Sequence, residues 1–368
     1  MKIVFARSGY SATGGAERYL QRLVAGLSKK GVSSILFNEG SWPAADWPGE
    51  GLITLAGESP KKFARQVAHE RLSYPDSLLF SFDRIPATDI FRAGDGIHAA
   101  YLKRQSMGES RLSTWFRSTR RLHRETCALE KELFTRNPTL RVICNSKMVA
   151  HELSKLYAFD EERTHVIYNG FTPEPWHEEE QKSARREIRE QLGIPQSSPI
   201  ILFVGSGWKR KGADLLAAAF QKLNHPEAHL VLVGKGRLKK SFGPKIHLTG
   251  AIREPRPYFL ASDLFALPTL YDPFSNACLE AAAYGLPVLT TDGNGFAEAL
   301  ESFPGAGEII PYSSDLNQWV AALASWLKKE HPTRPLCDLV AAHSMAKNIQ
   351  ETIGLLIRLV SHKSHPSP

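Results

Sequence analysis

The sequence predicts an α/β protein of two doubly wound, Rossmann-like halves, and three observations predict it. Strand-like and helix-like segments alternate from the first residues onward, the alternation restarts after a break rich in proline and charge, and 368 residues exceed what a single hydrophobic core usually supports. Ile3 to Ala6 is an apolar run that reads as a buried first strand, and it runs into a loop containing Gly14 and Gly15. Leu20, Leu23, Val24 and Leu27 then recur at helical spacing, with Gly31 placed to cap the helix end. VSSILFN reads as a second strand, and Leu78 to Phe82 and Leu140 to Cys144 as later ones. The break is FTPEPWHEEEQKSARRE, which sets the join near residues 171–195. Beyond it, Ile200 to Gly205, Leu230 to Val233, Leu264 to Leu267 and Val288 to Thr291 repeat the strand pattern. The expected division is a first domain over residues 1–170, a second over 171–345, and a last helix with a polar tail over 346–368. That helix, Met345 to Leu359 by pattern, is free to return to the first domain, and the tail SHKSHPSP is expected to be disordered. Open α/β sheets bind ligands at the carboxyl ends of their strands, so two such sheets facing each other predict an interdomain cleft that holds the chemistry.

Composition narrows the class. No run of eighteen apolar residues occurs, and the opening MKIVFARSGYS holds only a short apolar stretch, which predicts neither a membrane span nor a signal peptide and gives a cytoplasmic protein. Cys127, Cys144, Cys278 and Cys337 are far apart, with no CxxC pair, so neither a disulfide framework nor a zinc site is indicated. The formal charge of +8 calls for an anionic partner: nucleic acid, lipid head groups or a phosphorylated small molecule.

Two segments carry the phosphate chemistry. LPTLYDPFSNACLEAAAYGLPVLTT, residues 267–291, leaves a strand and enters a short helix, so the backbone amides of Ser275, Asn276 and Ala277 form a candidate diphosphate cradle behind Phe274. Glu280 sits a turn further on, where a carboxylate can accept ribose hydroxyls, and Asp272 lies on the preceding loop within reach of a sugar hydroxyl. A plain α/β turn with a capping serine would give the same pattern. FVGSGWKRKGADLL, residues 203–216, places Gly205 and then Lys209, Arg210 and Lys211 at a strand end, where a departing diphosphate needs cations. Arg210 can donate bidentately. A solvated basic loop is the alternative. Neither a Walker loop nor GxGxxG is present in this segment.

Asp272 and Glu280, separated by seven residues and followed by a GLPV turn, resemble the E-x7-E signature of the family 4 retaining glycosyltransferases, which have the GT-B fold. GGAE in the first loop, NSKMVAHEL, VIYNGF and VGSGWKRKG extend the resemblance over nearly the whole chain. The chain is most similar to the lipopolysaccharide core glucosyltransferase I group, through RAGDGIHAAYLKR and the Arg210–Lys211–Gly212 loop. The resemblance implies that Glu280 binds the ribose, Asp272 the donor sugar and Arg210 with Lys211 the diphosphate. It implies further that Gly14 and Gly15 approach the phosphates from the opposite domain, and that Ala251 and Ile252, in HLTGAIREP, line the nucleobase pocket. The first acid is Asp272 where much of the family has Glu, a shorter arm.

Asp95 and His98 in GDGIH are the first-domain candidates for orienting an acceptor hydroxyl or contacting the donor sugar, the alternative being a glycine turn beside a surface histidine. The implied reaction is transfer of glucose from UDP-glucose, with retention and with no metal or other cofactor, onto a lipid-linked carbohydrate, a lipopolysaccharide heptose. Lys103, Arg104, Arg117, Arg120, Arg121 and Arg124 lie in a basic stretch interleaved with Leu102, Leu112, Trp115, Phe116 and Leu122, which suits an anionic membrane surface. A solvated helix or a nucleic-acid groove would also use such a stretch. Another glycolipid or exopolysaccharide acceptor, a nucleotide-sugar epimerase and a basic nucleic-acid-binding protein are the alternative functions, and the leading reading expects no nucleic-acid partner.

Overall fold

The computed structural model describes residues 2–10, 15–40, 42–106, 121–240, 243–312, 315–328 and 333–364. The chain divides into two compact units, Met1–Tyr168 with Ala346–Pro368, and Asn169–Met345.

The first unit is built on a parallel sheet of β1 (Lys2–Ala6), β2 (Ser33–Asn38), β3 (Gly51–Thr54), β4 (Leu78–Ser81), β5 (Ile90–Ala93), β6 (Arg141–Cys144) and β7 (Thr164–Val166), in the order β3-β2-β1-β4-β5-β6-β7. Its central strands are continuous apolar runs because a parallel sheet is covered on both faces; Ile3, Val4, Phe5 and Ala6 are fully buried. The long helix Gly15–Ser28 buries Leu20, Leu23, Val24 and Leu27 at the spacing read from the sequence. The last helix, Met345–Ser364, belongs to this unit: Tyr19 and Thr352 share a hydroxyl hydrogen bond of 3.1 Å, and Gly26 lets Ile349 and Ile353 approach the first helix closely. It continues to Ser364, so the first residues of the expected disordered tail are helical.

The second unit repeats the design with β8 (Ile200–Val204), β9 (His229–Val233), β10 (Ile246–Gly250), β11 (Leu264–Leu267), β12 (Val288–Thr291) and β13 (Gly307–Ile310), in the order β10-β9-β8-β11-β12-β13. The charged break ahead of it is an integral part of this unit, with a helix over Glu178–Leu192. Three glutamates in its first turn suit the positive end of the helix dipole. Arg189, fully buried, donates from Nη2 to Asp263 (3.1 Å) and from Nη1 to the Pro195 carbonyl (3.0 Å), while Asp263 also accepts from Arg185 (2.8 Å) and the Ile200 amide (2.8 Å). A charge that enters a core must be paired and hydrogen-bonded in this way.

Strand order reverses between β1 and β4 in the first sheet and between β8 and β11 in the second, and the carboxyl edge at such a switch point is where an open α/β sheet receives a ligand. In the second unit the backbone there is fixed by Gly212, at φ +79°, where an added Cβ would lie 2.0 Å from the Pro268 carbonyl oxygen. Gly212→Ala is expected to lower the stability of this unit by about 1–3 kcal/mol, read as a lower denaturant midpoint; an unchanged midpoint would show that the turn yields.

At the opposite end of the same sheet, His229 Nδ1 lies 2.9 Å from His247 Nε2. Burial, then His247, Lys245 and Arg189, bring His229 down from 6.5 to about 4. As pH falls the unfolded chain takes up this proton first, so stability is full above 6.5 and is lost between there and about 4. Chemical denaturation at pH 5 and pH 7 should show the loss, with His229→Gln narrowing the difference.

Candidate active site

Four loops meet at the carboxyl edge of the second sheet. The loop after β8 carries Gly205 and leads into the short helix Trp208–Lys211, and Gly205 N–H donates to the Val233 carbonyl at the end of β9 (2.9 Å). Gly234 donates in turn to Gly250 at the end of β10 (2.8 Å). Ala251, exposed, and Ile252, half-buried, follow directly, so the residues expected around the nucleobase share this edge with Gly205. The loop after β11 holds Asp272, and the Leu270 amide donates to the Arg210 carbonyl (2.8 Å), stitching it to the loop after β8 across the switch point.

The charges meet at the same place. Lys211 Nζ lies 3.0 Å from Asp272 Oδ2, and Arg210 Nη1 lies 3.6 Å from that oxygen while donating to the Tyr271 carbonyl (2.7 Å). Asp272 is 7% exposed. An added Cβ on Gly205 would meet Lys211 Cδ at 3.0 Å, so glycine there leaves room for the lysine chain. The structure thus brings Arg210, Lys211 and Asp272 into one ion cluster, whereas Lys209 is exposed.

Behind this cluster the helix Asn276–Ala283 starts from Ser275, whose hydroxyl accepts from the Cys278 amide (3.4 Å). One backbone donor expected for a diphosphate is already used: the Ser275 amide donates to Asn294 Oδ1 (3.1 Å). Asn294, 1% exposed, also accepts from the Phe296 amide (3.1 Å) and donates to Thr290 Oγ1 (2.9 Å), clamping the loop after β12 to the loop after β11. The helix start therefore offers the amides of Asn276 and Ala277. Phe274 is 3% exposed and packs on Phe296 and His343, so its side chain is scaffold. Glu280 is half-buried on the same helix. Burial pushes the Cys278 thiol up to about 12, which removes it as a nucleophile at neutral pH. Asn169 donates to the Phe274 carbonyl (3.2 Å) and to Asn276 Oδ1 (2.9 Å), so Asn169 of VIYNGF, which the expected boundary placed in the first domain, braces this site in the second unit.

In the first unit, Asp95 is exposed in a turn after β5, with Gly96 at φ +73°. Two residues that sequence reasoning missed hold this loop. Arg84 Nη2 donates to the Gly96 carbonyl (2.9 Å), and Glu130, fully buried, accepts from Arg84 Nε (2.8 Å) and from the amides of His98 (2.7 Å) and Ala99 (3.0 Å) at the start of the helix His98–Ser106. A carboxylate at that position serves as the helix cap although it comes from a remote helix. His98 Nε2 lies 3.1 Å from His123 Nδ1, and burial, then Arg84, brings its pKa down to about 4, so the ring is neutral at pH 7. At the first switch point Ser8 N–H donates to Asp83 (2.7 Å), Arg7 pairs with Glu17 of GGAE (3.4 Å), and burial raises the Asp83 pKa.

Gly15 begins the first long helix, while Gly14, Arg117 and Arg120 lie outside the described residues, as do Leu112, Trp115 and Phe116. Of the other basic residues, Lys103 and Arg124 are exposed, Arg121 pairs with Glu125 (2.7 Å) and Arg104 with Glu152 (3.5 Å). Among the described residues no helix is long and apolar enough to cross a membrane.

Comparison with known proteins gives both units the same affiliation. Residues 13–174 match the family described as Glycosyltransferase Family 4, and residues 184–350 the family described as Glycosyl transferases group 1. The lipopolysaccharide glucosyltransferase WaaG of Escherichia coli is 23% identical over 86% of this chain and 87% of its own length, and a D-inositol 3-phosphate glycosyltransferase of Paenarthrobacter aurescens is 24% identical over 95% and 93%. The crystal structure of WaaG superposes with a TM-score of 0.73 at 22% identity, covering 95% of this chain and 94% of that one. The Anabaena protein HepE in complex with UDP-glucose gives 0.69 at 16% identity, covering 97% of this chain and 100% of that one. With glycosyltransferase families matched in succession over both units, and the architecture shared over nearly the whole length, the chain belongs to the family 4 glycosyltransferases and has their GT-B fold.

Proposed function

We propose that this enzyme transfers glucose from UDP-glucose to a heptose of the lipopolysaccharide inner core, retaining the anomeric configuration and using no metal ion, at the cytoplasmic face of a membrane. The observation that carries the reading is the meeting of Arg210, Lys211 and the helix start at Asn276 on the switch point of the second sheet. Two cations and two backbone amides there can take the negative charge that develops on a departing diphosphate. Glu280, on the same helix, takes the ribose hydroxyls, and Ala251 with Ile252 borders the base. A neutral His98 exchanges hydrogen bonds with the acceptor without adding charge, and Asp95 orients its hydroxyl. UDP-glucose is supported by the ligand of HepE, and the lipopolysaccharide acceptor by the name of WaaG, which this chain resembles along most of its length. Exposed Lys103, Arg121 and Arg124 favour an anionic membrane surface as the place where a lipid-linked acceptor is met.

A donor panel tests the reading. UDP and UDP-glucose should raise the melting temperature more than GDP, ADP and their sugar derivatives, EDTA should leave the shift unchanged, and Glu280→Ala should abolish it. With a heptose-terminated lipopolysaccharide added, glucose should appear on the acceptor in the α configuration. Preference for another nucleotide would overturn the donor, isomerised sugar in the absence of acceptor would make the protein an epimerase, and stabilisation by none of them would overturn the donor site.

A further inference from the structure

The ion cluster at the second switch point raises a question of charge. Asp272 Oδ2 faces Lys211 Nζ at 3.0 Å and Arg210 Nη1 at 3.6 Å, and the Asp272 and Lys211 side chains are only 10% and 13% exposed. The backbone that carries the carboxylate is fixed on both sides: its N–H donates to the Gly293 carbonyl (2.9 Å) and its carbonyl accepts from Gly295 (2.9 Å). Asn294, between those glycines, is itself held by four partners. Arg210, by contrast, has a side chain 34% exposed and a second tether at Tyr271. The groups placed to receive a diphosphate therefore already hold an anion, and that anion belongs to the protein.

We propose that Asp272 is the built-in counter-ion of the diphosphate cations: it holds Lys211 and Arg210 in the empty site, and an incoming diphosphate competes with it for them. On this view Asp272 sets the affinity for the diphosphate part of any ligand and not the choice of sugar, which is the role the family resemblance would give it. The aspartate arm suits the task, since one methylene fewer than glutamate keeps the carboxylate back against Lys211. The physical trade is a familiar one. Two clustered cations without a counter-ion cost stability, whereas a resident carboxylate repels the ligand's negative charge and so weakens its binding. A weaker grip on the diphosphate also favours release of the nucleotide product. The inference rests on the donor-site reading above, because it takes Lys211 and Arg210 as the diphosphate ligands.

Calorimetric titration with UDP, UDP-glucose and inorganic pyrophosphate tests it. Asp272→Asn, which keeps shape and removes charge, is expected to tighten all three by the same factor, about three- to tenfold, and to lower the melting temperature of the unliganded protein. In a Lys211→Met background the gain from Asp272→Asn should shrink towards unity, which a general structural effect would not produce. Weaker UDP-glucose with unchanged UDP would place Asp272 on the sugar and overturn the proposal, as would equal weakening of all three ligands. If the wild type binds pyrophosphate but no nucleotide, the donor reading fails while the pyrophosphate titrations still decide the counter-ion. If it binds neither, both fall. Glu280→Ala is the control, expected to weaken UDP and to leave pyrophosphate untouched.

Discussion

Each sheet of this protein is crossed at its switch point by a bond between charged or polar groups, and the site depends on that crossing. Where parallel strands reverse their order, the two connections that follow run to opposite faces, and the strand ends are left with a gap. In the first unit Asp83, after β4, closes the gap by accepting from the amide and hydroxyl of Ser8, after β1. In the second, Lys211 and Arg210, after β8, meet Asp272, after β11. Such a gap is where a ligand enters a doubly wound sheet. The groups that hold each sheet edge together are thus the groups a ligand would meet first.

This arrangement explains why so much of the molecule's buried charge is arranged around backbone. Glu130 caps the helix that carries His98, and Asp263 with Arg189 ties the first helix of the second unit to the start of β8. Arg92, 4% exposed in the middle of β5, lies 4.2 Å from the Tyr19 ring. A buried charge is tolerable only when its partners are fixed, and fixed partners in turn hold the loops that carry functional groups. Asn294 does the same without charge, since one side chain satisfies two amides and thereby spaces the loops around Asp272.

The central strands were legible because burial on both faces demands unbroken apolar runs, as in β1, β8, β11 and β12. The edge strands β3, β7, β10 and β13 were not, since each is only partly covered and none is an unbroken run of buried apolar residues. β5 escaped because Arg92 interrupts its apolar pattern. The charged break at 171–195 concealed a helix, because its buried face includes an arginine whose ionic partner, Asp263, lies 74 residues away. Among the candidate site residues, Gly205, Arg210, Lys211, Asp272 and Glu280 were singled out by their place after a strand or on the following helix, and Asn169 lies in a motif of the resemblance, whereas Arg84, Glu130 and Asn294 carry no local signal.

The sequence by itself determined the two α/β halves and the strand ends that bear cations and acids, because these follow from periodicity and from short-range spacing, and its motifs carried the resemblance to the family. Tertiary structure alone decided which groups are already engaged. It gave the Ser275 amide to Asn294, buried the side chain of Phe274, lowered the His98 pKa by burial and set Asp272 against Lys211 and Arg210. Those outcomes depend on which loops meet at a switch point, and loops that meet in space need not be near in sequence.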